Sequence, residues 1–207
     1  MKRSKRKREN KDVKDAQWSE YMVHWENGPS PVRYVSRRVS GRDWEPWVVV
    51  ARSALLDELG IVGEGLYAAQ SFKKDDVLGR YGGTVIGSTF PNRQSALRSR
   101  EVRNLIESGR NMIVTRSVRP RGVEAVNGST AGPPYLQKAN DPRGTRHRPN
   151  ARFTPGGFMK VDQSSIPAFD LEKPLRENVK SEIRWSYGDD YWATFNVLGT
   201  SVLPFHI

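Results

Sequence analysis

A chain of 207 residues with 34 Lys and Arg against 23 Asp and Glu carries a net charge of +11, which points to nucleic acid, chromatin or another anionic surface as its neighbourhood and says nothing of its fold. The length suits one domain with a core of its own plus appendages. The absence of cysteine excludes disulfide frameworks, thiolate zinc sites and a cysteine nucleophile. Three histidines leave little for a metal site, and the longest unbroken apolar run, residues 47–51, is far short of the roughly 20 residues that cross a bilayer. A soluble intracellular protein with neither membrane nor metal partner is expected.

Residues 1–15 hold eight Lys or Arg, three Asp or Glu and almost nothing apolar, so burial could not offset the entropy of ordering them. Residues 1–16 are therefore expected to form a disordered basic tail. Its cluster Lys2, Arg3, Lys5, Arg6, Lys7 and Arg8 fits a nuclear-localisation or polyanion-binding patch, the plainer alternative being a solvated tail with no address. A nuclear location is expected, with the cytoplasm as the alternative. Residues 17–46 are rich in Trp, Pro and Arg without clear periodicity, and an irregular flank packed onto the domain by its aromatics is expected there.

Regular structure is expected from residue 47. The β-branched run 47–52, the stretch 65–69 after Gly63, and 77–81 leading into Gly82 and Gly83 all read as short strands broken by turn chemistry. Residues 95–108, with Ala96, Val102, Leu105 and Ile106 among Arg and Glu, predict the one convincing helix, placed to end at Gly109. A strand over 112–118 follows. Then comes a turn-rich region, 120–134, with a short strand at 123–126. No internal repeat is present, and a mainly β domain is expected.

Three stretches carry chemistry. Gly63-Glu64-Gly65-Leu66-Tyr67-Ala68 satisfies the dinucleotide pattern G-x-G-x-x-A, but residues 71–76 interrupt any following helix and position 83 is glycine where an acidic residue is needed. A kinase glycine-rich loop fails too, since no HRD or DFG follows. What remains is close approach of a ligand to backbone, or simply a hairpin turn. Residues 135–153, YLQKANDPRGTRHRPNARF, bracket a basic loop between Asn140 and Asn150; alone, it reads as an Arg-rich surface loop. In Glu182-Ile183-Arg184-Trp185-Ser186-Tyr187-Gly188, alternation puts Ile183, Trp185 and Tyr187 on one strand face, which is usually just core.

Taken together and in order, G-x-G-L-Y-A, the D-x-V-L-G-x-Y-x-G-x-x-I segment ending at Ile86, the asparagine loop ending in Pro149-Asn150 and the closing E-I-x-W-x-Y-G resemble the motifs of the SET-domain family of S-adenosylmethionine-dependent protein lysine methyltransferases. The resemblance covers roughly residues 47–192 and leaves 193–207 as a C-terminal aromatic flank. It implies a mainly β fold of small curled sheets, with one inserted helix and a C-terminal segment threaded beneath the loop after the asparagine motif. It also implies a cofactor pocket lined by Glu64, Gly65, Leu66, Asn140 and Asp141, with Tyr187 bordering it as the catalytic tyrosine and Trp192 stacking on adenine or else packing on the core. Tyr81 is implied as a second catalytic, channel-lining tyrosine, and Trp185 as a further channel wall.

The residue types suit that chemistry. Methyl transfer from a sulfonium to an amine needs no metal, only a deprotonated lysine, whose free pKa is about 10.4, and collinear alignment. An aromatic channel disfavours the ammonium form and can orient the amine. Two departures stand out: Asp141 occupies the usual histidine position of the asparagine motif, and Arg80 replaces a common glutamate. Arg143, Arg146 and Arg148 in the longer loop would add positive charge near the site, favouring an acidic or phosphorylated segment beside the target lysine. His147 and His206 read as bystanders. The expected partner is a protein bearing the target lysine, a histone first, with the basic tail free to contact nucleic acid. The competing reading is a catalytically inactive, SET-like basic module that binds nucleic acid or chromatin.

Overall fold

The structure, a computed structural model, describes residues 16–107, 113–117, 122–140, 142, 144–154, 157–162, 165–186 and 193–194. It is mainly β, built from small sheets none of which closes. Pairing starts well before residue 47. β1 (Gln17–Val23), β2 (Val32–Arg38), β3 (Glu45–Arg52) and β4 (Glu64–Ala68) form one antiparallel meander in chain order. The expected irregular flank over 17–46 is thus corrected to two strands and a hairpin.

Its periodicity was hidden for physical reasons. β1 is an edge strand whose residues are nearly all exposed, so it has no buried face to pattern. In β2, a register shift between Val35 and Ser36 interrupts the period of two.

The apolar run in β3 has the opposite cause: both faces are covered. Val48 and Val50 enter the main core with Leu66, Phe72, Leu78, Met159, Ile183 and Trp185, while Val49, Ala51 and Tyr67 face a second core with Trp25 and Phe169. Trp25 closes that second core. Its indole N–H donates to the Leu171 and Lys173 carbonyls at 3.1 and 3.2 Å, and its ring lies where a methyl on Gly28 would be, 2.5 Å away.

Between β3 and β4 the chain makes a short helix, α1 (Ala54–Glu58), with Ser53 as N-cap accepting from Leu56 N at 3.0 Å. β5 (Phe72–Lys73) pairs with β12 (Ser165–Ile166). β6 (Val77–Arg80), β10 (Ala151–Thr154), β11 (Phe158–Val161) and β13 (Trp185–Ser186) form a second sheet in the order β13-β10-β11-β6, with β13 parallel to β10. β7 (Thr84–Phe90), β8 (Ile113–Ser117), β9 (Val123–Asn127) and β14 (Ala193–Thr194) form a third, ordered β14-β8-β9-β7.

The single helix expected over 95–108 is two: α2 (Arg93–Arg98), capped by the Asn92 side chain, and α3 (Arg100–Glu107). The break is Ser99, whose backbone is extended and whose hydroxyl accepts from Val102 N at 3.3 Å, so one residue ends the first helix and caps the second. Ala96 and Val102 pack with Ile86 and Ala125 in a small third core. Among the described residues no helix is long and apolar enough to cross a membrane, and no three acidic or histidine side chains converge as metal ligands.

Candidate functional site

The segments that carry the three motifs meet at one buried carboxylate. Glu182 is fully buried; its Oε1 accepts from Ser53 Oγ at 2.5 Å and Asn140 Nδ2 at 3.2 Å, and its Oε2 from Leu55 N at 3.0 Å. The Asn140 amide also lies 3.0 Å from both Ser53 Oγ and the Glu64 carbonyl. Burial pushes the Glu182 carboxyl up from its ordinary value, against the pull of these donors.

The glycine motif takes its shape from the same contact. A methyl on Gly65 would lie 2.5 Å from Glu182 Oε1 and 3.1 Å from Ser53 Cα, so only glycine admits the carboxylate here. A methyl on Gly63 would meet Leu56 Cδ1 at 2.6 Å. Both glycines are thus accounted for by protein contacts. Leu66 is fully buried, its carbonyl taken by Ile183 N at 2.7 Å, and Ala68 N donates to Ser181 O at 2.9 Å, so the C-terminal segment pairs along β4. Glu64 alone of the trio Glu64, Gly65 and Leu66 is exposed, with its carboxylate 2.5 Å from Lys138 Nζ.

The same C-terminal segment lies between the two limbs of the asparagine loop. On one side Trp185 N donates to the Asn140 carbonyl at 3.2 Å; on the other, the Arg184 carbonyl accepts from Asn150 N and Ala151 N at 2.8 and 2.9 Å. The Asn150 side chain mimics a further strand, accepting from Arg184 N at 2.7 Å and donating to the Glu182 carbonyl at 2.9 Å. The buried Arg184 guanidinium closes the crossing by donating to the Arg148 carbonyl at 3.0 Å and to the Val179 carbonyl. Burial pulls that guanidinium below its ordinary value, and the Glu182 carboxylate opposes the shift.

Part of the loop's positive charge is matched by Glu58 at the surface. His147 Nε2 and Arg146 Nη2 reach Glu58 Oε1 at 2.9 and 3.5 Å, and the hydrogen bond from His147 holds the Glu58 carboxyl below the usual range. His147 is therefore a loop anchor rather than a bystander. Arg148 contributes its carbonyl to the crossing.

Tyr81 and Trp185 share the main core through Phe153. Ring centroids are 5.5 Å apart for Tyr81 and Phe153 and 4.9 Å for Phe153 and Trp185, both edge-to-face. Trp185 is buried and its indole N–H donates to the Ala139 carbonyl at 2.8 Å, so it braces the loop that carries Asn140. The Tyr81 hydroxyl rests on Gly128, where a methyl would come within 2.0 Å of it, and burial pushes that phenol well above its ordinary range. Near it, Gln137 donates to the Ala131 carbonyl at 2.8 Å, while its own buried Oε1 has no hydrogen-bond partner among the described residues.

Tyr187, Trp192, Asp141 and Arg143, together with residues 1–15, lie outside the described residues. Sequence reasoning brought Glu64, Gly65, Leu66 and Asn140 to one place and missed Ser53, Glu182 and Asn150 as the residues that join them. The one legible signal was at Ser53, an N-cap type directly before the apolar Ala54-Leu55-Leu56. Compared with known proteins, the chain matches no family model, no curated protein and no solved structure.

Proposed function

We propose that this protein is an S-adenosylmethionine-dependent protein-lysine N-methyltransferase of SET type, acting on a lysine of a basic nuclear protein, a histone first. One observation carries the reading. Motif segments far apart in the sequence meet at Glu182, and residues 184 and 185 hydrogen-bond to both Asn140 and Asn150, which supports the reading of the motifs as parts of one site.

The side chains present restrict where a methyl donor would bind. Gly63 and Gly65 are filled by Leu56 and Glu182, so the donor would sit on the exposed side of Glu64 and Asn140. There, Glu64 and Lys138 offer an acceptor and a cation for an amino-acid end group. When bound, the cofactor supplies an electrophilic methyl on a sulfonium. An acceptor lysine would need to be unprotonated before it could take up that methyl. Apolar surroundings of the kind formed by Tyr81, Phe153 and Trp185 disfavour the ammonium form. In this reading Tyr187 orients the amine and Tyr81 shapes the end of the channel.

The test is transfer of labelled methyl to core histones by wild-type protein and the Tyr187→Phe variant side by side. Label on a histone, reduced or shifted in methylation state by the variant, is expected; unchanged kinetics and product state would remove Tyr187 from the reaction. A second reading, an inactive SET-like module that binds nucleic acid or chromatin, is favoured by the filling of both glycine sites. It requires that calorimetry detect no binding of S-adenosylmethionine.

A further inference from the structure

The geometry points to a single-stranded nucleic-acid contact at the β2–β3 hairpin, with a backbone phosphate seated against Arg38 and a base beside Trp44. This site shares no residue with the Glu182 junction and is independent of the methyltransferase reading. Most cations of the first sheet have acidic partners: Arg33 pairs with Glu20, Arg37 with Glu45 and Arg52 with Asp57 of α1. Arg38 is held differently. Its Nε and Nη2 both donate to the neutral Gln17 Oε1, at 3.1 and 2.6 Å, and its guanidinium lies 4.9 Å from the centroid of the Trp44 ring. Among the described residues Arg38 is thus fixed in place by a neutral partner, which leaves its charge to meet an external anion.

The surroundings match a phosphodiester better than a carboxylate chain. Gln17, Arg38, Ser40, Gly41 and Arg42 line a shallow recess of about 280 Å³, room for a phosphate with its waters. Ser40 is an exposed hydroxyl donor, and Gly41 (φ +79°) has nothing within 4 Å of where a side chain would begin, so backbone is open to close approach. Trp44 is 43% exposed beside the guanidinium, and an aromatic ring next to a stacked arginine is a platform for an unpaired base. In sequence, the basic stretch 1–15, with eight Lys and Arg, precedes Gln17 of this recess by one residue.

The experiment uses the full chain, 15N-labelled, titrated with a short oligothymidylate, with inorganic phosphate and with polyglutamate; amide, indole and arginine Nε resonances are followed. Oligothymidylate affinity is measured across salt in parallel for wild type, Arg38→Gln, Trp44→Ala and Arg152→Gln. Arg152 already contacts Asp162 at 3.0 Å and serves as the control. The expected result is shifts at Ser40, Gly41 and the Trp44 indole. Arg38→Gln should lower the slope of log affinity against log salt by about 0.7, equivalent to about fivefold weaker binding at ~0.1 M salt. Trp44→Ala should weaken the oligonucleotide without altering that slope, and Arg152→Gln should change neither. Binding with no shift at the hairpin and an unchanged slope in Arg38→Gln would place the contact elsewhere and overturn the assignment. Polyglutamate producing equal shifts at equal affinity would replace nucleic acid by an acidic peptide, and a response to inorganic phosphate alone would leave only a weak anion site.

Discussion

Replacing Glu182 by Gln is the sharpest probe of the junction, because it preserves volume and removes only charge and acceptor capacity. The carboxylate faces donors alone: Ser53 and Asn140 at Oε1 and Leu55 N at Oε2. An amide has one oxygen, so either orientation turns its NH2 toward a buried donor. A buried donor left unpaired costs about 1–3 kcal/mol, partly offset because no charge is buried. The expected loss is about 2 kcal/mol, which lowers the melting temperature by about 4–8 °C in a domain of this size. The pH dependence gives the sign. Burial raises the folded-state pKa of Glu182, so in the window above the ordinary carboxylate range the folded protein binds more protons than the unfolded chain. Stability from this group is therefore complete below the unfolded pKa and declines as pH rises through the folded pKa. A protonated Glu182 keeps its partners by donating to Ser53 Oγ while accepting from Asn140 and Leu55, which the amide cannot match. Urea unfolding of both proteins from acid to neutral pH should show the gap widest in acid and narrowing upward. A gap that widens with pH would mean that the three donors outweigh burial, and would refute the reasoning.

Gly65→Ala should cost about 1–3 kcal/mol in urea unfolding, because the added methyl meets Glu182 Oε1 and the Ser53 backbone and neither can withdraw freely; an unchanged midpoint would show that β4 can shift away. Gly128→Ala should also destabilise, and Tyr81→Phe should recover only part of the loss. Removing the hydroxyl clears the 2.0 Å contact, but ring atoms remain at 2.6 and 2.7 Å. Full recovery in the double variant would mean that the ring relocates. His147→Ala should raise the Glu58 carboxyl pKa toward its ordinary value in an NMR titration, since the hydrogen bond from His147 is the main cause of its depression. That contribution to stability is present above the unfolded carboxylate pKa and is lost as pH falls through the lowered folded value.

Legibility in the sequence followed burial. Strands with a continuous apolar run or a glycine boundary, such as β3, β4 and β6, were placed to within two residues, because covering one or both faces forces the pattern. β1 and β2 were missed since an exposed edge strand and a bulged neighbour leave no clean alternation. The helix over 95–108 was right in kind and wrong in continuity: Ser99 looks innocuous in an Arg-rich stretch, yet its hydroxyl is what restarts the helix. Glu182 was read as the leading residue of a motif rather than as the point where motifs join. Its partners Ser53, Leu55 and Asn140 are from 42 to 129 positions away, and no local pattern reports so distant a carboxylate acceptor.

The junction also reassigns what the glycine motif is for. If Gly65 were glycine to admit a ligand, a methyl there would project into open space; it meets Glu182 instead. The motif therefore serves assembly, and its exposed member, Glu64, is the one left to face outward, with Asn140 tied to the Glu64 carbonyl and to Glu182 at once. Any ligand gripping Glu64 and Asn140 would be sensing whether residues 182–185 are docked, because the Asn140 carbonyl is fixed by Trp185 N and its amide by Glu182. Binding at that edge and closure of the C-terminal crossing are then linked equilibria. A ligand that prefers the closed form stabilises it by as much as its affinities for the two forms differ. Glu182→Gln, which weakens the crossing without touching Glu64, should consequently reduce the affinity of S-adenosylmethionine if it binds there. Calorimetry showing undiminished affinity in a measurably destabilised variant would separate binding at Glu64 and Asn140 from the crossing.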